Sequence, residues 1–160
     1  MPLSAQQIID LLRLEPLPRE GGCFRLTHRA QNMTAGRPLY NAIYYFLEGA
    51  AFSHLHRLAQ DEIYHFYAGS PVEMLCLMPD GKGERRLLGN DLESGQRPQI
   101  LVPGGCWQGA RLLAGGWALM GTTLSPAWEE RDYEHGGAAA LTRQYPRFGD
   151  LIAQLTRDQV

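Results

Sequence analysis

Gly49-Ala-Ala-Phe-Ser-His54-Leu-His56-Arg-Leu-Ala-Gln-Asp-Glu62-Ile-Tyr-His65-Phe-Tyr-Ala-Gly69 sets two imidazoles and a carboxylate on adjoining short apolar segments bounded by glycines. Residues two apart on a strand project from one face. His54 and His56 are therefore expected to point together into whatever space lies on that side of a sheet. If Glu62 faces inward, strict alternation carries Tyr64 and Phe66 with it and sends His65 and Tyr67 to the opposite face. The extra residue before Glu62 leaves room for a β-bulge that would reverse this.

The flanking sequence extends the strand pattern. Short β-rich runs separated by turn formers occur at 24–29, 41–47, 51–56, 62–67, 72–78, 85–88, 99–102, 108–112 and 117–124. Such spacing predicts a sandwich or barrel, and a double-sheet jelly roll is the economical architecture. Asp80-Gly81 marks a tight hairpin turn, because glycine accepts positive φ. Ile43-Tyr44-Tyr45-Phe46-Leu47 is apolar throughout, so both of its faces need cover.

Ser4 and Gln7 form a capping-box pattern ahead of Ile8, Leu11 and Leu12, which predicts a helix over 5–14, ended by Pro16 and Pro18. After Gly136-Gly137, the spacing of Phe148, Leu151, Ile152 and Leu155 predicts an amphipathic C-terminal helix. The organisation expected is one domain over 1–160: helix and linker to 20, an all-β barrel over 21–134 and a helical tail from 135. The polar segment 89–98 reads as a loop.

A chain of 160 residues is long enough for a proper core. Its 15 basic and 17 acidic residues form no basic stripe, so nucleic acid is not an expected partner. The N-terminus has no basic region followed by an apolar run, and no segment approaches the length of a membrane span, so a cytoplasmic protein without a membrane partner is expected. Cys23, Cys76 and Cys106 are odd in number and widely spaced, which predicts reduced thiols.

The 49–69 stretch resembles the first signature of the cupin superfamily, in which Gly precedes His-x-His and a Glu is followed after six residues by Gly. Glu62 stands one residue further from His56 than that signature has it. Pro103-Gly-Gly105-Cys-Trp-Gln108 resembles the second signature, Pro-x-Gly-x-x-His, with Gln108 where the last metal-binding His would stand. Together with Glu20-Gly-Gly-Cys-Phe-Arg25-Leu-Thr27 and Gly95-Gln-Arg-Pro, the chain looks like the bacterial cupin branch labelled as a domain of unknown function, related in fold to dTDP-sugar epimerases. The resemblance implies a double-stranded β-helix with a short helix at each end. It also implies a homodimer, in which a partner's sheet covers the 43–47 run.

The histidine pair has three readings. As metal ligands, His54, His56, Glu62 and Gln108 offer two nitrogens and two oxygens, a set suited to iron, manganese, nickel or zinc. As acid–base groups, His56 or His65 beside Glu62 would move a proton next to a carbonyl, as cupin-fold sugar epimerases do. The third reading is a hydrogen-bonded polar interior without turnover.

Arg25, Thr27 and Arg29 alternate on one face, where guanidinium forks suit an anionic small molecule such as a sugar derivative; a solvated edge strand is the competing reading. Tyr45 and Tyr64 on the inner strands are further candidates for ligand contact. Trp107, beside Gln108 and after two glycines, is placed at the pocket rim. No nucleophile motif is present. The leading expectation is a small-molecule pocket of epimerase or isomerase type, the alternatives being a metal-dependent oxygenase or isomerase and a non-catalytic binding module.

Overall fold

A computed structural model describes residues 3–157. In chain order the elements begin with α1 (Ala5–Leu12), β1 (Glu15–Pro16), β2 (Cys23–Arg29), β3 (Met33–Thr34), β4 (Arg37–Pro38), β5 (Asn41–Glu48) and β6 (Phe52–Arg57). They continue with β7 (Glu62–Gly69), β8 (Val72–Leu77), β9 (Gly83–Leu88), β10 (Gln99–Val102), β11 (Trp107–Leu112), β12 (Trp117–Leu124) and β13 (Glu134–His135). Helices α2 (Ala138–Gln144) and α3 (Gly149–Gln154) close the chain.

Two antiparallel sheets face each other, one in the order β1-β2-β5-β12-β7-β10 and one in the order β13-β6-β11-β8-β9, with β3-β4 a separate ribbon. This is the jelly roll expected from the strand spacing. The hairpin at Asp80-Gly81 forms as predicted, with Gly81 at φ 88° and Met78 N–H donating to Lys82 at 2.8 Å. Alternation on β7 holds from Glu62, so Glu62, Tyr64 and Phe66 go inward. Tyr45, Leu47, Tyr64, Met74, Cys76 and Met120 meet between the sheets.

Part of each outer face is covered from within the chain, while Tyr67 and Leu101 on the larger sheet stay exposed. Capped by Ser4 and Gln7, α1 lays Ile8 and the adjoining Leu14 on Phe46, Tyr44 and Trp117 outside the larger sheet. Burying Ile8 alone is worth about 2 kcal/mol. The cover expected from a partner subunit over 43–47 is therefore supplied by this helix, and the run carries no argument for a second copy. The helix stops at Leu12 rather than 14 because Arg13 turns left-handed at φ 53° and caps it.

At the other end two helices form where one was expected, since Pro146 interrupts the run and a short 3₁₀ turn separates α2 from α3. Leu141, Tyr145, Leu151, Ile152 and Leu155 pack on Leu55, Leu75, Leu77 and Trp107, outside the smaller sheet. Among the described residues no helix is long and apolar enough to cross a membrane.

Candidate functional site

Between β1 and β2 the chain turns through Arg19, Gly21 and Gly22, all left-handed at φ 65°, 96° and 70°. A Cβ at Gly22 would stand 2.6 Å from the Phe46 carbonyl oxygen and 2.8 Å from Leu47 Cδ2, so only glycine fits. The turn lays Glu20 against β6. Its backbone oxygen accepts from His54 N–H at 2.7 Å, and its carboxylate accepts from Ser53 Oγ at 3.1 Å.

Strand β6 does not run evenly. Gln108 of β11 pairs with His56 and Ala110 pairs with Ser53, which leaves His54 and Leu55 both opposite Gly109, a β-bulge. The freed backbone groups find other partners: Leu55 N–H donates to Leu155 and Gly136 N–H donates to Leu55, at 2.9 and 2.7 Å. Here the same-face expectation fails. His56 lies under Glu20, with Nε2 3.8 Å from its carboxylate. The His54 ring instead stacks on His135, with centroids 3.8 Å apart, and lines a different cavity.

A cavity of about 400 Å³ opens at the Glu20 end of the barrel. Its polar wall is Glu20, Glu62, Tyr45, Thr122 and Tyr133, and Phe24, Leu26, Ile43, Leu58 and Trp128 make an apolar one. Both carboxyl groups are pushed up from 4.5 to about 7, mainly because burial disfavours their charge. Negative charge on Glu20 raises Glu62 further, while the dipoles of Thr122 and Gln108 and the neighbouring His56 pull it down. The Gln108 amide donates to Glu62 Oε2 at 2.6 Å.

His56 is 1% exposed, and burial holds its pKa below 6.5 against the pull of Glu62 and of the His54 carbonyl. It is therefore neutral at neutral pH. A carbonyl only accepts, so the 2.7 Å contact with His54 O puts the ring proton on Nδ1 and leaves the Nε2 lone pair facing Glu20. Tyr45 donates its hydroxyl to Gly21 O at 2.9 Å, fixing the turn from the cavity side.

Residues 126–135 form a strap along the cavity. Arg37 clamps it through Asp132 at 2.5 Å and through the Ala127 carbonyl, and Gln60 donates to Asp132 at 3.1 Å. Trp128 N–H donates to Asn41 at 2.6 Å. Tyr133 then stacks on His56, with centroids 5.3 Å apart.

Several expected site residues lie elsewhere. Arg25 and Thr27 do not line the cavity: β2 is bulged between Leu26 and His28, Arg25 donates to the Leu12 carbonyl and Thr27 to the Ala42 carbonyl. Phe24, Leu26 and, past the bulge, Arg29 take the inner positions instead. Trp107 packs outside the smaller sheet under Arg57, which stands 4.8 Å over its ring. His65 faces away from the cavity, between Thr123 and Gln99. Tyr64 is buried beside Glu62 but inside the core rather than on the cavity surface. Residues 89–98 line neither cavity.

The proposed ligand set for a metal is not assembled. His54 is turned to His135 and so leaves the set, although His56 keeps its Nε2 lone pair and Gln108, whose NH2 donates to Glu62, keeps a buried Oε1 without a hydrogen-bond partner. Among the described residues no three His, Cys, Asp or Glu side chains group to hold a metal ion. Glu20, Trp128 and Tyr133 were not singled out by their sequence context. Of these only Glu20 carried a signal, as the carboxylate directly preceding Gly21-Gly22.

Comparison with known proteins places this arrangement. The chain is similar over 99% of its length, and 100% of the other's, to a crystal structure of a Shewanella oneidensis protein at 34% identity and TM-score 0.92. It is similar to a hypothetical protein from Leishmania major at 29% identity and TM-score 0.87, covering 98% of this chain and 100% of that one. Oxalate decarboxylase from Bacillus subtilis, which has Mn(II) centres, shares the fold at 13% identity and TM-score 0.58, over 94% of this chain and 39% of its own. No functionally curated protein sequence matches. The family model described as Cupin superfamily (DUF985) matches residues 6–136, and the chain is therefore a member of that cupin family.

Proposed function

We propose that the chain is an acid–base enzyme of the isomerase or epimerase type, acting on a small carbonyl compound held in the Glu20–Glu62 cavity. The observation that carries this reading is a pair of carboxyl groups in one half-apolar cavity, both with pKa values near 7. A base working at neutral pH is most effective when its pKa lies there. Two carboxyls that raise each other's energy when both are charged favour a state in which one is ionised and the other protonated. The ionised one takes a proton from the carbon next to the carbonyl, and the protonated one returns a proton to the opposite face or to oxygen.

His56 sits beside Glu20 rather than in the open cavity, with Nε2 3.8 Å from the carboxylate and beyond hydrogen-bond reach, so its part is to pack a neutral ring against that carboxyl group. Exposed Arg29 suits an anionic substituent on the substrate, and the apolar wall suits its carbon skeleton. The predicted metal ligands do not converge, so no step runs through a metal.

Proton NMR in deuterated water over nucleotide sugars, keto sugars and keto acids tests this. The expected result is exchange at one carbon, slowed by roughly 10²–10⁴-fold in Glu20→Gln or Glu62→Gln. A compound that saturation transfer shows bound in the cavity, yet which keeps all its protons, would make the chain a binding module instead.

A further inference from the structure

A second cavity, of about 470 Å³, is lined by the other side of the 17–22 turn, by His54 and His135, and by Arg157 near the end of the described chain. Its ionisable lining residues are Arg19, His54, His135 and Arg157; among the described residues no carboxylate lines it. The guanidinium groups are held by aromatic faces, Arg157 4.8 Å over Phe52 and Arg19 4.5 Å over Tyr133. Arg157 spends one nitrogen on the Ala50 carbonyl at 3.0 Å, and Arg19 one on Glu130, leaving the rest of each fork.

The imidazoles add directional groups. His54 is 6% exposed and contacts the Leu55 carbonyl through Nδ1 at 3.0 Å, so in its neutral form Nε2 carries a lone pair. His135 meets the Tyr133 hydroxyl through Nδ1 at 2.9 Å. Neither Nε2 has a partner among the described residues. Two imidazoles would suit a metal ion, but two guanidinium groups in the same cavity repel a cation and attract an anion.

We infer that this cavity is a binding site for a hydrogen-phosphate or phosphomonoester group. The Arg19 and Arg157 forks match its oxygens, and the O–H of hydrogen phosphate, or of a phosphomonoester in its singly protonated form, donates to the His54 Nε2 lone pair. The second clause sets phosphate above sulfate, which has the same shape and charge but no proton to give at neutral pH. The site stands independently of the reading of the first cavity.

The test is titration of the full chain with inorganic phosphate at constant ionic strength, followed by histidine-selective NMR. The expected result is saturable shifts of the His54 and His135 ring signals without movement of His65. Affinity should fall at least about tenfold in Arg157→Gln and in His135→Phe, and sulfate should bind about tenfold more weakly, the loss expected for one unmatched buried acceptor. Arg157→Gln changes an exposed residue, so its folding is not in question, and a melting curve controls His135→Phe. Shifts that chloride reproduces, binding unchanged in both variants, or equal affinity for sulfate would each overturn the assignment.

Discussion

The cavity holding Glu20 and Glu62 and the cavity holding His54 and His135 share one turn as a wall, yet among the described residues only the first is lined by carboxyl groups. Glu20, Glu62 and Glu130 line the first, which exposed Arg29 also reaches; His54, His135 and Arg157 line the second, where among the described residues there is no carboxylate, and Arg19 reaches both. A row of rings links them along β6 and β13: His54 on His135, His135 tilted 6.0 Å from Tyr133, and Tyr133 on His56. The arrangement shows how a shared wall can keep two electrostatic environments apart. Glu20 and Glu62 rise toward neutrality because burial strips them of water, and the nearest guanidinium of the turn is engaged with Glu130 instead.

The largest way to break that separation is to break the wall. Gly22→Ala forces a side chain into left-handed backbone and against the Phe46 carbonyl, which cannot yield without moving β5. A loss of about 4 kcal/mol is expected from strain plus overpacking, and a melting temperature lower by roughly 10 °C. A melting point within a degree or two of the parent would mean that the turn moves freely.

Next comes the charge state of the first cavity. Between the ordinary carboxyl value of 4.5 and about 7 the folded chain binds more protons at Glu20 and Glu62 than the unfolded chain does. Stability from these groups is therefore complete below 4.5 and is lost as pH rises through 7. His56 acts oppositely: its lowered pKa gives stability present above 6.5 that is lost as pH falls through the folded value. Glu62→Gln keeps the Gln108 contact and removes one titration. Urea unfolding at pH 5 and pH 8.5 should show the variant gaining about 3 kcal/mol on the parent at the higher pH. Parallel profiles would show that Glu62 is charged throughout.

A smaller effect separates the strap from the wall. Asp132 has a side chain 6% exposed, is held below its usual range by Arg37 despite burial, and accepts from Arg37 and Gln60. Asp132→Asn leaves the Arg37 guanidinium only the more distant Glu129, 3.8 Å from Nε, as counter-charge and should cost about 2 kcal/mol, less than full removal of a buried partner. Tyr133 fluorescence and protease sensitivity near residue 130 should change, while phosphate titration of the second cavity should not. Loss of both together would tie the strap to the wall.

The fold was readable because β7, β8 and β12 alternate or stay buried as their sequences imply, and because turns such as Asp80-Gly81 have a backbone reason to form. The site was readable where register was continuous: Glu62 alone fixed the inward set Glu62, Tyr64 and Phe66, ahead of the shift at Tyr67. It was misread where a bulge intervened. Nothing within Ser53-His54-Leu55-His56 shows that Gly109 on another strand opposes two of its residues, nor does Cys23–Arg29 show the irregularity after Leu26 that brings Arg29 to the cavity while Arg25, alternating with Phe24 and Leu26, points away. Glu20 and Tyr133 come from irregular segments, where no period assigns a face. Their positions depend on left-handed backbone and on a buried Arg37–Asp132 pair, both tertiary facts.

The smallest prediction asks whether the ring row carries energy from one cavity to the other. His135→Ala removes the stack on His54 and the contact with the Tyr133 hydroxyl, on an exposed edge, and should cost about 1 kcal/mol. If the cavities are electrostatically separate, its pH–stability profile keeps the parent's fall through about 7, and the double variant with Glu62→Gln is additive within about 0.5 kcal/mol. A coupling above that would place the Tyr133 hydroxyl as the link, because Tyr133 stacks on His56 and feels the charge of Glu20. His135→Phe then decides the cause: it restores the stack without the hydrogen bond, so coupling that persists in it comes from the bond and coupling that disappears comes from the ring.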